Sequence, residues 1–364
     1  MRDGLAVDKW MFLAVVALLI MGVTMVLSTS YLYSQERYAD GTYFFRKQLI
    51  AMGGGIVALV LCSMLPSYLY RRFAYPLLAV TFIILVLVLI PGIGLSRGGA
   101  RRWIMLPGFV FQPSELAKLA IVFYLAHSMA KKEAMIRTFS VGVLPHLIVT
   151  GMFAVVLLLE PDFGTALILT VLLYFMLFIG GARAHHLLAT GLMAVPVLVY
   201  VMMNAEYRLR RMMSFLDPWS DASGSGFHVV QSLIAFGSGQ LWGRGLGESR
   251  QKLFYLPEAH TDFVYSVIGE ELGLLGALLV LALFGVILVR GLRLTGKIEE
   301  PFDQYLAFGL TVLLGLQALI HMGVVMGLMP TKGLVLPFIS YGGSAMVINL
   351  VEAGILLGLS RRRL

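Results

Sequence analysis

An all-α integral membrane protein with about ten transmembrane helices is the fold class this sequence predicts, and three observations predict it. Hydrophobic residues make up 59% of the chain and charged residues 13%, whereas a soluble globule carries about 25% charged side chains. Apolar runs of roughly 17 to 25 residues, the length that crosses about 30 Å of hydrocarbon, recur throughout. The inside loops between them are short and polar, one outward loop is much longer than the rest, and no Pro- or Ser-rich linker divides the chain. Residues 1–364 therefore read as a single polytopic domain.

The runs fall near 10–28, 49–65, 73–91, 114–130, 142–159, 163–180, 184–203, 263–290, 304–328 and 338–359. The first has no small-residue cleavage site before Tyr31, so it is expected to persist as a helix rather than be removed as a signal. Only Glu160-Pro161-Asp162 separates the fifth from the sixth, which leaves a tight hairpin and one broken helix both open. Gly323-x-x-x-Gly327 and Gly354-x-x-x-Gly358 place small residues where helices pack closely in lipid.

The longer loop, 204–262, lies between the seventh and eighth runs. Its segment Tyr207 to Trp219 mixes arginines with large apolar residues, the pattern of an interfacial helix. Val229 to Phe236 suggests a second short helix. Gly237, Gly239, Gly243, Gly245 and Gly247 then form a reach that holds Arg244, with backbone free enough to wrap a polar ligand. It lacks the strand-to-helix context of a nucleotide fingerprint.

An even span count puts both termini on one side, and basic residues choose which. With cytoplasmic termini, 14 of the 28 Lys and Arg residues lie inside. Thirteen lie outside, of which six belong to the long loop that the positive-inside rule discounts. Both ends are therefore expected in the cytoplasm and the 204–262 loop outside. The net charge of +8 is dispersed over membrane-flanking loops, which fits anionic lipid headgroups and excludes nucleic acid as the expected partner. Cys62 is the only cysteine, so the chain has no internal disulfide and no thiolate cluster for a metal.

Chemistry concentrates at Leu256-Pro257-Glu258-Ala259-His260-Thr261-Asp262, where ionisable side chains crowd the mouth of the eighth run. Asp262 reads either as a functional carboxylate or as the N-cap of that helix. Glu115 and Lys118, three apart, share a helix face as an ion pair or as part of a polar cavity. Glu270 and Glu271 lie too deep in the eighth run for casual surface charges, and one of them is expected to face a cavity.

Four segments together resemble the SEDS family of cell-wall polymerases: Gly99-Ala100-Arg101-Arg102-Trp103-Ile104, Gln112-Pro113-Ser114-Glu115-Leu116-Ala117-Lys118, the 256–262 cluster continuing to Gly269-Glu270-Glu271, and Leu336-Pro337-Phe338-Ile339-Ser340-Tyr341-Gly342-Gly343-Ser344. The resemblance covers almost the whole chain. Glu258 to Asp262 and Pro330-Thr331-Lys332-Gly333 look more like its division branch than its elongation branch. Met105-Leu106-Pro107-Gly108 and Phe227-His228 depart from the usual pattern, and the tails are short.

The resemblance implies a peptidoglycan glycosyltransferase that polymerises lipid II by inverting transfer and releases undecaprenyl diphosphate. It implies Asp262 as the general base, with Arg101, Arg102, Lys118, Arg244 and Lys332 as substrate-binding cations. Glu115, Asp162, Glu258, His260 and Glu270 support them. No external ATP is required; a divalent cation, Mg or Mn, bridging the diphosphate fits the chemistry, but no ligand cluster in the sequence argues for one. The implied partners are a class B penicillin-binding protein and other division-machinery membrane proteins, in the bacterial inner membrane. A flippase for the lipid-linked precursor and a non-catalytic scaffold are the rival readings, because charges within spans equally suit a translocation path.

Overall fold

The computed structural model describes residues 7–97, 99–203, 206–224, 226–252 and 259–361. Each of the ten apolar runs lies on helix. In chain order these are α1 (Lys9–Tyr38), α2 (Tyr43–Met64), α3 (Ser67–Val88), a small sheet of β1 (Gly94–Arg97), β2 (Ala100–Leu106) and β3 (Phe109–Phe111), then α4 (Pro113–Lys131) and α5 (Leu144–Leu159). There follow α6 (Phe163–Ile179), α7 (Ala184–Met203), α8 (Glu206–Leu216), α9 (Phe227–Gly239), α10 (Val264–Glu271), α11 (Gly273–Thr295), α12 (Pro301–Val325) and α13 (Gly343–Arg361). Among the described residues, seven helices are long and apolar enough to cross a membrane: α1, α2, α3, α5 with the turn before it, α11, α12 and α13.

Local chemistry sets the helix ends. Asp8 caps α1 by accepting from the Met11 N–H at 3.0 Å, and Asp162 caps α6 by accepting from the Thr165 N–H at 3.2 Å. Pro113 and Pro301 sit in the first turns of α4 and α12, where a missing N–H costs nothing. The Glu160–Asp162 turn joins two separate helices that pack on each other, so the hairpin alternative holds. The 204–262 loop carries both expected helices, as α8 and α9.

Packing runs from the inside out. Helices α12 and α13 are mostly buried at the centre. Large apolar side chains on α2 and α3, among them Val57, Leu61, Phe73 and Ile83, stay exposed on the outer face, where hydrocarbon replaces water. Gly354 and Gly358 let α13 approach α2 backbone to backbone: a Cβ at either would come within 2.5 Å of the Leu59 oxygen or 2.6 Å of the Ser63 oxygen. Substituting Gly354 by Leu forces these helices apart. It should lower stability by about 1 to 3 kcal/mol, read as a fall in thermal midpoint in detergent. The other glycine pair does not work this way, since a Cβ at Gly323 meets only the Met329 side chain and Gly327 ends α12 at φ +70°.

Three features depart from expectation. Within a chain expected to be all-α, the segment 92–113 forms an antiparallel sheet in the order β1-β2-β3. The eighth run is two helices, because the chain breaks at Leu272 and resumes at Gly273 with φ +69°. The glycine reach fills that break instead of standing open for a ligand. Arg244 N–H donates to the Glu270 carbonyl at 2.9 Å and Gly245 N–H to the Glu271 carbonyl at 3.0 Å, while Leu274 N–H donates to Gln240 at 2.9 Å. The carbonyls and N–H groups freed by the break thus find partners within the protein, as a low-dielectric setting requires.

The start of α1 meets the end of α13. Asp8 N–H donates to Ser360 Oγ at 3.1 Å, and Arg290 near the end of α11 pairs with the Asp8 carboxylate at 2.6 Å. The helix α11 is 23 residues long, so its start lies about 33 Å from its end along the axis. Residues 259–273 therefore occupy the molecule's opposite end from the termini.

Candidate active site

At that opposite end, Asp262 sits in the turn before α10, half-buried. The N-cap position of α10 falls on Phe263 rather than on Asp262, which sits one residue before it. Neighbours on both sides hold the turn. The His260 ring lies 5.4, 5.0 and 5.8 Å from the rings of Tyr33, Phe44 and Tyr341, and Phe263 stacks on His228 at 5.7 Å. Tyr341 N–H donates to the His260 carbonyl at 2.9 Å, and Ser340 Oγ donates to the Thr261 carbonyl at 2.7 Å. The Leu336–Ser344 motif thus clamps the turn that carries Asp262.

The Asp262 carboxylate abuts Gly333, where an added Cβ would lie 3.2 Å from Oδ2. Gly333 lines a cleft of about 570 Å³, open mouth included, together with Arg102, Asp162, Arg208, Arg211 and Lys332. Four cations facing one acid make it an anion-binding site in character, and its volume suits a small charged group rather than a whole glycolipid.

Each wall has a local cause. Arg102 projects from β2 and donates through Nε to the Glu160 carbonyl at 3.0 Å and through Nη2 to the Pro161 carbonyl. It fixes the turn that presents Asp162, whose Oδ2 accepts from Thr165 Oγ1 at 2.9 Å. Glu160 is buried, and its two carboxyl oxygens have no hydrogen-bond partner. Burial first and Asp162 second push that carboxyl up to about 9, with Arg102 pulling the other way. Lys332, in the segment between α12 and α13, lies over the Phe163 ring at 5.2 Å, and burial lowers its amine to about 8. Arg208 and Arg211, three apart on amphipathic α8, close the remaining side.

The other expected residues lie elsewhere. Arg101 faces away from Arg102 on β2 and is exposed, its Nη1 reaching the Leu89 carbonyl at 3.4 Å. Lys118 does not line the cleft: it is buried within the bundle, bonded to Glu115 at 2.9 Å and to Gln317 on α12. Arg244 is outside the cleft, its side chain at the Ser238 carbonyl. Glu258 lies outside the described residues.

Neither Glu270 nor Glu271 faces the cleft. Glu270 accepts from Arg250 N–H at 3.1 Å, Gln251 N–H at 3.3 Å and Ser249 Oγ, which ties the loop to α10. Glu271 accepts from Ser28 at 2.7 Å and pairs with Lys252 at 3.2 Å. Replacing Glu270 with Ala strands those donors at about 1 to 3 kcal/mol each. Limited proteolysis should then cut within 244–252 well before it cuts the parent protein. Arg208 and Arg211 are cleft residues that sequence reasoning assigned to a membrane-surface helix.

Among the described residues no cluster of three His, Cys, Asp or Glu side chains could hold a metal ion. The arrangement offers one carboxylate beside a cationic cleft, at one end of a bundle of membrane-crossing helices. That defines a class: a polytopic membrane protein with a cationic, anion-binding cleft at one face. The FtsW/RodA/SpoVE family, described as cell cycle protein, matches residues 9–364, and the chain belongs to this family.

Its relatives agree over nearly full length. The chain is 45% identical to the probable peptidoglycan glycosyltransferase FtsW of Geobacter sulfurreducens, over 98% of this chain and 95% of that protein. It is 38% identical to stage V sporulation protein E of Bacillus subtilis, over 97% of each. Among solved structures it resembles the rod shape determining protein RodA of Thermus thermophilus, with TM-score 0.73, 29% identity and 98% of each chain covered. It also resembles a chain from a study of how a peptidoglycan synthase complex coordinates polymerization and crosslinking, with TM-score 0.79, 31% identity and 98% of each covered.

Proposed function

We propose that this protein is a peptidoglycan glycosyltransferase of the division branch, which joins lipid II units into glycan strands with Asp262 as general base. One observation carries the reading: a carboxylate just ahead of the N-cap position of α10 abuts the wall of a cleft formed by Arg102, Arg208, Arg211 and Lys332. The acceptor's 4-hydroxyl gives its proton to the Asp262 carboxylate as its oxygen attacks the donor's anomeric carbon. The new C–O bond forms while the bond from that carbon to the diphosphate oxygen breaks, with inversion. Undecaprenyl diphosphate departs with the bonding electrons, and the aspartic acid returns its proton to water.

A glycosidase needs a second carboxyl group to protonate a poor leaving group. Diphosphate leaves as a stable anion, so one base and a cationic cleft suffice. A single well-aimed donor at such a site contributes about 3 to 4 kcal/mol. The site end lies opposite the termini, which the positive-inside rule assigns to the cytoplasm, so the reaction runs on the outer face of the inner membrane. A class B penicillin-binding protein takes the new strands for crosslinking.

The test is purified protein with such a partner and labelled lipid II. Strand polymer is expected. Movement of lipid II across sealed vesicles without polymer would instead assign the buried Glu115–Lys118 pair to a translocation path, and neither outcome would leave a scaffold.

A further inference from the structure

A second concavity lies at the terminus end, far from the cleft, in the groove between α1 and α11. Its lining includes Trp10, Gly285, Val286, Val289, Arg290 and Arg293, around about 720 Å³ with its open side counted. The groove is graded along its length. Arg293 is exposed in the last turn of α11, and Arg290 is one turn deeper, spending two donors on Asp8 at 2.6 and 2.7 Å. Asp8 offsets one guanidinium, so this end keeps a net positive charge, and a guanidinium has five donors to share. Trp10 is 64% exposed at the same level, the position where indoles sit at a membrane–water boundary.

Two turns deeper the groove becomes an apolar slot. A Cβ built on Gly285 meets nothing within 4 Å, and Val286 and Val289 form its wall. We infer that this groove binds one anionic phospholipid from the leaflet on the side of the termini, its phosphate at Arg293 and Arg290 and an acyl chain over Gly285. An apolar transmembrane helix seated there would have to bury Arg293 without a counter-charge, which is costly in hydrocarbon. A phospholipid supplies an anion at the basic end and a chain at the apolar end, the complementarity that basic inter-helix pockets show toward acidic headgroups.

Native mass spectrometry of the full-length protein tests this, titrating phosphatidylglycerol against phosphatidylethanolamine of identical acyl chains. Phosphatidylglycerol should be retained preferentially. Arg293→Gln should weaken its binding about fivefold, from the contribution of one basic residue near an anionic headgroup, and Arg293→Lys should keep most of it. Gly285→Leu should displace both lipids while the thermal midpoint stays unchanged. Equal retention of the two lipids by the parent protein, or undiminished phosphatidylglycerol binding in Arg293→Gln, would overturn the assignment.

Discussion

Asp262→Asn should abolish strand synthesis. In a reconstituted assay with labelled lipid II, the rate should fall by at least about 10²-fold, the contribution of a positioned general base. The isosteric amide keeps the size and hydrogen-bonding reach of the side chain but does not accept the acceptor's proton at neutral pH. Its structural cost should be small, because the turn is held by the rings around His260, by the Phe263–His228 stack and by the bonds from Tyr341 and Ser340. An unchanged thermal midpoint with lost polymer separates catalysis from folding. Full activity in Asp262→Asn would move the base elsewhere.

Lys332→Met should have the next largest effect, a loss of about 10²-fold or more, the scale for removing one donor aimed at developing charge. Burial lowers this amine to about 8, so it is protonated below that pH and neutral above it. The parent enzyme's rate should therefore decline on an alkaline limb centred near pH 8. Lys332→Arg, whose charge persists throughout, should move that limb to higher pH.

Stability should change in the other sense. Between the folded value and the ordinary lysine value, the unfolded chain binds more protons, so stability rises with pH across that window and the charged amine is a burden below it. Lys332→Met should accordingly unfold no more easily than the parent at pH 7, a trade of stability for activity that marks a functional charge. An alkaline limb that does not move in Lys332→Arg would assign the pH dependence to another group.

Much of this was legible in sequence because hydrocarbon imposes a crude rule: long apolar runs become helices, and all ten lie on helix. Asp262 stood out for the same reason, as charge at a bilayer boundary. Arg102, Asp162 and Lys332 come from three distant segments and line one cleft.

What sequence reading missed depended on tertiary partners. Arg208 and Arg211 share a face of α8 at i and i+3, but an amphipathic basic helix looks the same whether that face meets headgroups or closes a site. The sheet was missed because apolar content masked the turn glycines Gly99 and Gly108, both at positive φ. For Lys118 the sequence leaves an ion pair with Glu115 and a place in a polar cavity both open, since two opposite charges three apart on a buried helix face suit either. Its i,i+3 partner Glu115 and Gln317 hold it within the bundle. The break at Leu272 was hidden in a continuous apolar run, since its freed backbone groups are satisfied by residues 240–245, about thirty positions earlier.

The most direct measurement is the position of a non-reacting lipid II analogue bound to the enzyme together with its crosslinking partner, resolved by cryo-electron microscopy. The account predicts the diphosphate within hydrogen-bond reach of Lys332 and Arg102, with a sugar hydroxyl about 3 Å from an Asp262 carboxylate oxygen. A diphosphate bound away from that cleft, or a saccharide that approaches no closer to Asp262 than a second water layer, would contradict it.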